Sequence, residues 1–197
     1  NKSTGNDRIK FYNGSFFDRA AGIPENNFVR FVTPNLSVTN TAIAVTGTLQ
    51  SRLFKTNNEG TSWREITGNL AAPVSYQGLL FHPTDTNTIY VGTGIFDYAQ
   101  RTPGFSMFRT TNGGVSWHKW NNGMGEGVII SQLSFIDSTS INGKFYAVAG
   151  SYGRGIWVRD VNGDDPLTGN NSNNTNLPKE YSLNQNYPNP FNPSTTI

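Results

Sequence analysis

The sequence predicts an all-β protein of about three four-stranded antiparallel units, open because too few units are present to close on themselves. Three observations carry this. An octapeptide occurs twice: Thr56-Asn57-Asn58-Glu59-Gly60-Thr61-Ser62-Trp63 and Thr110-Thr111-Asn112-Gly113-Gly114-Val115-Ser116-Trp117 both read Thr-x-Asn-x-Gly-x-Ser-Trp. Trp63 and Trp117 lie 54 residues apart (117 − 63), a period that marks stacked supersecondary units. Short apolar runs recur at matching offsets around each copy, and no stretch holds a helical 3.6-residue period of useful length.

The elements follow in order. Each unit opens with a strand at 28–32, 78–81 or 131–135. A run ending in glycine comes next, at 42–47, 88–94 and 145–150. The third strand is Leu53-Phe54-Lys55, Met107-Phe108-Arg109 or Ile156-Trp157-Val158. The octapeptide turns the chain into a fourth short strand at 64–66 or 118–120; the third unit lacks it and runs into a polar segment. Four strands in about 50 residues, repeated in tandem, are the signature of a β-propeller, whose sheets bury their faces against neighbours. Closure takes about 4–8 such sheets, so this stretch reads as part of a larger ring. Residues 1–27 are expected to be the remnant of a preceding sheet, and 28–160 the repeated units.

The octapeptide resembles the Asp-box, or BNR repeat, of sialidase- and sortilin-type propellers. Both copies depart from that pattern by placing Asn58 and Asn112 where Asp is usual, a mild change because an amide oxygen still accepts from nearby backbone N–H groups. The resemblance assigns structural roles to Thr56, Asn58, Gly60, Ser62 and Trp63, and to Thr110, Asn112, Gly114, Ser116 and Trp117. Gly60 and Gly114 are expected at positive φ, and the two tryptophans are expected to cover the edge of their units.

Composition excludes several classes. The 197 residues carry 14% charged residues and a net charge of +2, with no cluster of Lys and Arg, which gives nucleic-acid binding no footprint. No run approaches the roughly 18 apolar residues of a membrane helix. With no cysteine, disulfides, zinc thiolates and cysteine nucleophiles are ruled out. No cofactor is called for. His82 and His118 have no sequence partners at metal-ligand spacing. Asp160, Asn162, Asp164 and Asp165 lack the spacing and terminal Glu of a calcium loop. The chain begins at Asn1 without an initiator Met or a basic-then-apolar leader, as expected if a signal peptide has been removed or, the preferred reading, if this is the C-terminal piece of a longer protein.

Composition shifts after Asp160. Residues 161–180 are Asn-, Gly- and Asp-rich with almost nothing apolar and read as a flexible linker. Residues 181–197 follow, with Leu183-Asn184-Gln185-Asn186-Tyr187-Pro188-Asn189-Pro190-Phe191-Asn192-Pro193 at their heart. Prolines 188, 190 and 193 fix φ and withhold ladder donors, which holds an extended entry segment before Thr195-Thr196-Ile197. This run resembles the opening of the type IX secretion C-terminal sorting domain, stopping at its first strand. Leu183, Gln185, Asn186, Tyr187, Pro188, Asn189, Pro190, Phe191, Asn192 and Pro193 are the residues that carry the resemblance. It implies the type IX machinery as partner, and secretion or outer-membrane display in a bacterium of the Bacteroidetes or a neighbouring group.

Strand parity separates the two ends of each unit. The octapeptide joins strands three and four, so it lies opposite the loops joining strands two and three, where enzymes of the resembled family carry their active site. On that second end, residues 95–106 bring Phe96, Asp97, Tyr98 and Arg101 onto one segment. Aromatic platforms with a carboxylate and a guanidinium suit sugars. Tyr152 and Arg154 lie in the equivalent loop of the third unit, and Glu126 in a glycine-rich connection. Glycoside hydrolysis needs paired carboxylates or a Tyr nucleophile with its own acid/base partner, so Asp97 and Glu126 are the catalytic candidates. The run Gly150-Ser151-Tyr152-Gly153-Arg154-Gly155 has no helix after it and is not a phosphate loop. The reading is an extracellular binding or scaffolding protein, with a glycan or protein as partner. The alternative is part of a secreted glycoside hydrolase, sialidase-like or xyloglucan-hydrolysing, whose catalytic residues lie mostly elsewhere. A third is an adhesion protein in which the propeller spaces other domains.

Overall fold

In the computed structural model the described residues are 9–47, 51–70, 75–94, 107–124 and 127–161; the linker from 162 onward and the sorting segment fall outside them. The chain runs β1 (Lys10–Tyr12), β2 (Phe16–Asp18), β3 (Val29–Pro34), β4 (Ala42–Thr46), β5 (Arg52–Thr56) and β6 (Arg64–Glu65). It continues through β7 (Ser75–Phe81), β8 (Ile89–Gly94), β9 (Met107–Thr110), β10 (His118–Lys119) and β11 (Ile130–Ser138). A single helical turn α1 (Thr139–Asn142) leads to β12 (Lys144–Ser151) and β13 (Ile156–Asp160). All pairings are antiparallel and join strands consecutive in the chain. They give the hairpin β1-β2, four-stranded sheets β3-β4-β5-β6 and β7-β8-β9-β10, and a three-stranded sheet β11-β12-β13. The result is an all-β, propeller-like segment of stacked meanders.

Why the sheets stack follows from their middle strands. In β4, Ile43 and Val45 enter one apolar cluster with Leu53 and the β7–β8 residues Leu79, Ile89 and Val91. Ala44, between them, joins Phe54, Trp63 and Ile23 on the other side. All six residues of β8 are buried, so its apolar run is continuous: both faces are covered, and alternation has nothing to mark. Tyr90 of β8 belongs to the next cluster, with Met107, Trp120, Ile130 and Leu133. Gly92 is required by the closeness of that contact. A Cβ there would lie 2.4 Å from Ile130 Cγ2. The stack is open at both ends: Tyr12, Phe16 and Phe17 are exposed on the hairpin, and Ile156 (74%) and Val158 (58%) on the last sheet.

The two octapeptides fold into the same hydrogen-bonded turn. Thr56 Oγ1 donates to Asn58 Oδ1 at 2.9 Å and accepts from the Gly60 N–H at 3.0 Å. Asn58 Oδ1 also accepts from the Ser62 N–H at 2.9 Å, while its Nδ2 donates to Ser62 Oγ. Thr110, Asn112, Gly114 and Ser116 repeat this pattern at 2.8–3.0 Å. Two successive positions take positive φ: Glu59 (57°) and Gly60 (80°) in one copy, Gly113 (69°) and Gly114 (90°) in the other. Only the second of each pair is legible from the shared motif.

The tryptophans do more than cover an edge. Trp63 and Trp117 are 6% and 2% exposed, lying between sheets. The Trp117 indole N–H donates to the Ile66 carbonyl of the preceding sheet at 2.9 Å, and the Asn69 amide brackets its main chain, accepting from N–H and donating to C=O. Trp63 makes the matching indole bond to the Arg19 carbonyl at 2.6 Å, beyond the hairpin. Val161, assigned by composition to the linker, is 3% exposed, packs in the last cluster and donates its N–H to the Phe145 carbonyl.

Glu59 is a non-glycine residue in the left-handed region, which costs an L-residue roughly 1–2 kcal/mol. Glu59→Gly should therefore stabilise the fold by about 0.5–1 kcal/mol after the added unfolded-state entropy. In urea denaturation the midpoint should rise with an unchanged slope, whereas Gly60→Ala should lower it.

Candidate functional site

The loops expected to carry chemistry are only partly described. Phe96, Asp97, Tyr98, Arg101 and Glu126 lie outside the described residues. Tyr152 and Arg154 sit together on the tight turn between β12 and β13, both exposed. That turn is closed by the Ser151 N–H and Oγ, which both donate to the Gly155 carbonyl. The Tyr152 N–H donates to Ile129 at 2.9 Å, tying the turn to β11's approach. The two side chains thus stand on a rigid base in solvent. No group of three or more His, Asp or Glu among the described residues could hold a metal ion.

A groove forms at the opposite end, where the octapeptides also lie. It has a volume of about 420 Å³ and is lined by Leu36, Leu80, His82, Phe135, Asp137 and Phe145 among others. Its floor comes from the first strands β7 and β11 with the start of β12. Phe135 and Phe145 meet edge-to-face at 6.4 Å, and His82 meets Phe145 likewise. Leu36, at the rim, is 92% exposed.

Local hydrogen bonding builds that rim. Asn35 is buried, and its Oδ1 accepts from the N–H groups of Ser37 (2.8 Å) and Val38 (3.0 Å). This Asx-type turn lifts Leu36 out of the sheet. Ser37 Oγ then donates to the Pro83 carbonyl at 2.7 Å, joining the rim of one sheet to the next. Beyond Pro83, Asp85 organises the turn into β8, accepting from the Asn87 N–H and the Thr88 hydroxyl at 2.9 and 2.6 Å. Burial alone would raise its pKa; those two bonds, with His82 and Lys55 nearby, hold it below the usual carboxylate value. Lys55 crosses the seam to the Thr86 carbonyl at 2.7 Å.

Asp137 is the carboxylate of the groove's described lining, and both the Thr139 N–H and hydroxyl donate to it. His82 Nδ1 faces the Thr84 N–H at 3.3 Å. An aromatic floor with an exposed aliphatic rim suits an apolar side chain or the face of a sugar ring. Sequence reasoning did not single out Leu36, Phe135 or Phe145. The available signal was Leu36 itself, a large aliphatic between Asn35 and Ser37 where a turn needs none.

No family model matches the sequence, and no curated protein matches it. Solved structures do. The GH74 enzyme of Niastella koreensis aligns at 19% identity and a TM-score of 0.47, covering 66% of this chain and 21% of that one. The GH74 xyloglucanase from Xanthomonas campestris aligns at 16% and 0.43, covering 74% and 24%. YCF48 bound to D1 peptide aligns at 13% and 0.40, covering 67% and 38%. The chain thus spans about a fifth to two fifths of the length of these structures.

Asp85 makes the turn between β7 and β8 sensitive to pH. Because its folded pKa is lowered, its stabilisation is present above the unfolded carboxylate value and is lost as pH falls through the folded one. Asp85→Asn should be less stable than wild type at neutral pH. The gap should close below about pH 4, where the unfolded carboxylate protonates; denaturation midpoints at a series of pH values measure it.

Proposed function

We propose that the chain is part of a secreted or cell-surface propeller that binds or scaffolds, with a glycan or a protein as its partner. The observation that carries the binding role is the groove of Leu36, Phe135 and Phe145, an apolar surface left open to solvent beside a fixed rim. A described lining with one carboxylate, engaged by Thr139, supports binding over hydrolysis at this place. The octapeptide turns are read as Asp-boxes with Asn in place of Asp, serving structure. Export rests on the run at 183–193 and its resemblance to the type IX sorting domain, which names the type IX machinery as a transport partner.

The second reading is favoured by Asp97 and Glu126. Both lie in loops that strand parity assigns to the other end, and with acids from further sheets they would furnish a glycoside hydrolase.

One set of assays on the full-length protein separates the readings. Glycan arrays and immobilised surface proteins report binding, and release of reducing sugar from β-glucans and sialosides reports hydrolysis. Binding should fall about tenfold or more in Leu36→Asp, a loss of about 1.4 kcal/mol, with Tm unchanged because Leu36 is exposed. Asp97→Ala and Glu126→Ala should leave it intact. Hydrolysis abolished by either of those two, with Leu36→Asp silent, would instead establish the enzyme reading. Replacing Tyr187–Phe191 (187–191) by Gly/Ser should keep the protein from the medium and cell surface.

A further inference from the structure

Aligning the third strands by their pairing sets Thr56 of β5 and Thr110 of β9 against Arg159 of β13, because Ala42, Ile89 and Ala147 face them in register. Seven residues after Thr56 and Thr110 stand Trp63 and Trp117, each buried at a seam with its indole N–H on a carbonyl of the preceding unit. Seven residues after Arg159 stands Pro166. The side of the slot that receives Trp117 is built by Ile66 and Leu70; the matching residues one sheet later are Trp120 and Met124.

At that third seam there is a cavity of about 170 Å³. Met107, Trp120 and Met124 line it from one sheet, and Ala149, Trp157 and Arg159 from the next. The Trp120 and Trp157 indole N–H groups are buried, with no acceptor among the described residues. Trp120 is 2% exposed, and a donor buried without a partner is unfavourable. β13 is also the last strand of its described sheet, whereas β5 and β9 each carry a fourth strand directly following the tryptophan.

We propose that this seam is a docking site for a tryptophan-led β-strand of another polypeptide. Its ring enters the cavity as Trp63 and Trp117 do at the other seams, and its main chain pairs along β13 and offers carbonyls to the two indole donors. Strand addition at a sheet edge with one anchoring side chain is an established mode of peptide capture. No tryptophan of these residues is left to fill the cavity. The sequence has four tryptophans, and Trp63, Trp117, Trp120 and Trp157 are all built into the sheets. Pro166, seven residues after Arg159 in the sequence, has neither an indole ring nor an N–H to donate. The proposal is independent of the groove, which lies at the other end of the sheets.

The test adds the heptapeptide Gly-Thr-Ser-Trp-Arg-Glu-Ile, the sequence of residues 60–66, to the full chain, and follows the four indole N–H resonances by NMR. The resonances of Trp120 and Trp157 should move while those of Trp63 and Trp117 stay, and Tm should rise with peptide concentration. The peptide with Ala in place of Trp should bind more weakly by roughly tenfold or more, the scale of a truncated anchor. Ala149→Leu, which fills the cavity, should abolish the shifts, and Leu36→Asp should not alter them. Equal response to both peptides, no response at millimolar peptide, or shifts spread over all four indoles would overturn the proposal in the wild-type protein, whatever the variants do.

Discussion

The interaction on which the structure depends is the indole N–H of an octapeptide tryptophan donating to a main-chain carbonyl of the unit before it. Trp63 reaches Arg19 and Trp117 reaches Ile66. A large ring buried between sheets contributes apolar area, and its single polar atom is satisfied only when the neighbouring sheet sits at one height and one tilt. The turn that delivers the ring is rigid for its own reasons, with Thr and Asn side chains closing it internally. Each of the two four-stranded sheets is thereby indexed to the unit before it, and stability passes from neighbour to neighbour as in other repeat architectures.

Much of this was legible. The octapeptide and its period gave the unit, and the runs around it gave strands in the observed order, because a sheet covered on both faces needs continuous β-branched and aromatic stretches. What stayed hidden depended on distant partners. Glu59 adopts a positive φ because the turn requires two such residues, and only the sister copy's Gly113 hints at it. Gly92 has nothing to distinguish it within the run 88–94, yet its role is to admit Ile130. Val161 follows a polar boundary in the sequence but is held by Phe145. The tryptophans' reach into the preceding unit could not be read from a motif that contains no part of that unit.

The candidate sites divide in the same way. Parity of the meander predicts which loops share an end, and Tyr152 with Arg154 occupy one such turn. The groove arises instead where the ends of β3, β7 and β11 and the start of β12 converge, joining sheets whose residues lie about 50 positions apart and that no local pattern relates. Phe135 and Phe145 meet across the β11–β12 pairing, and sheet stacking then sets them beside Leu36 and Leu80, as it sets Trp120 beside Trp157 at the third seam. The proposed sites both fall where the repeat is broken: a turn carrying an extra leucine, and a third sheet whose sequence lacks the octapeptide.

Native-state hydrogen exchange of the Trp63 and Trp117 indole N–H protons tests the central claim most directly. If these bonds index sheet to sheet, both protons exchange only when the sheets separate, with free energies near that of global unfolding measured by denaturant. Exchange of either proton at the rate of the exposed turns, while amides of β4 and β8 remain protected, would contradict the account.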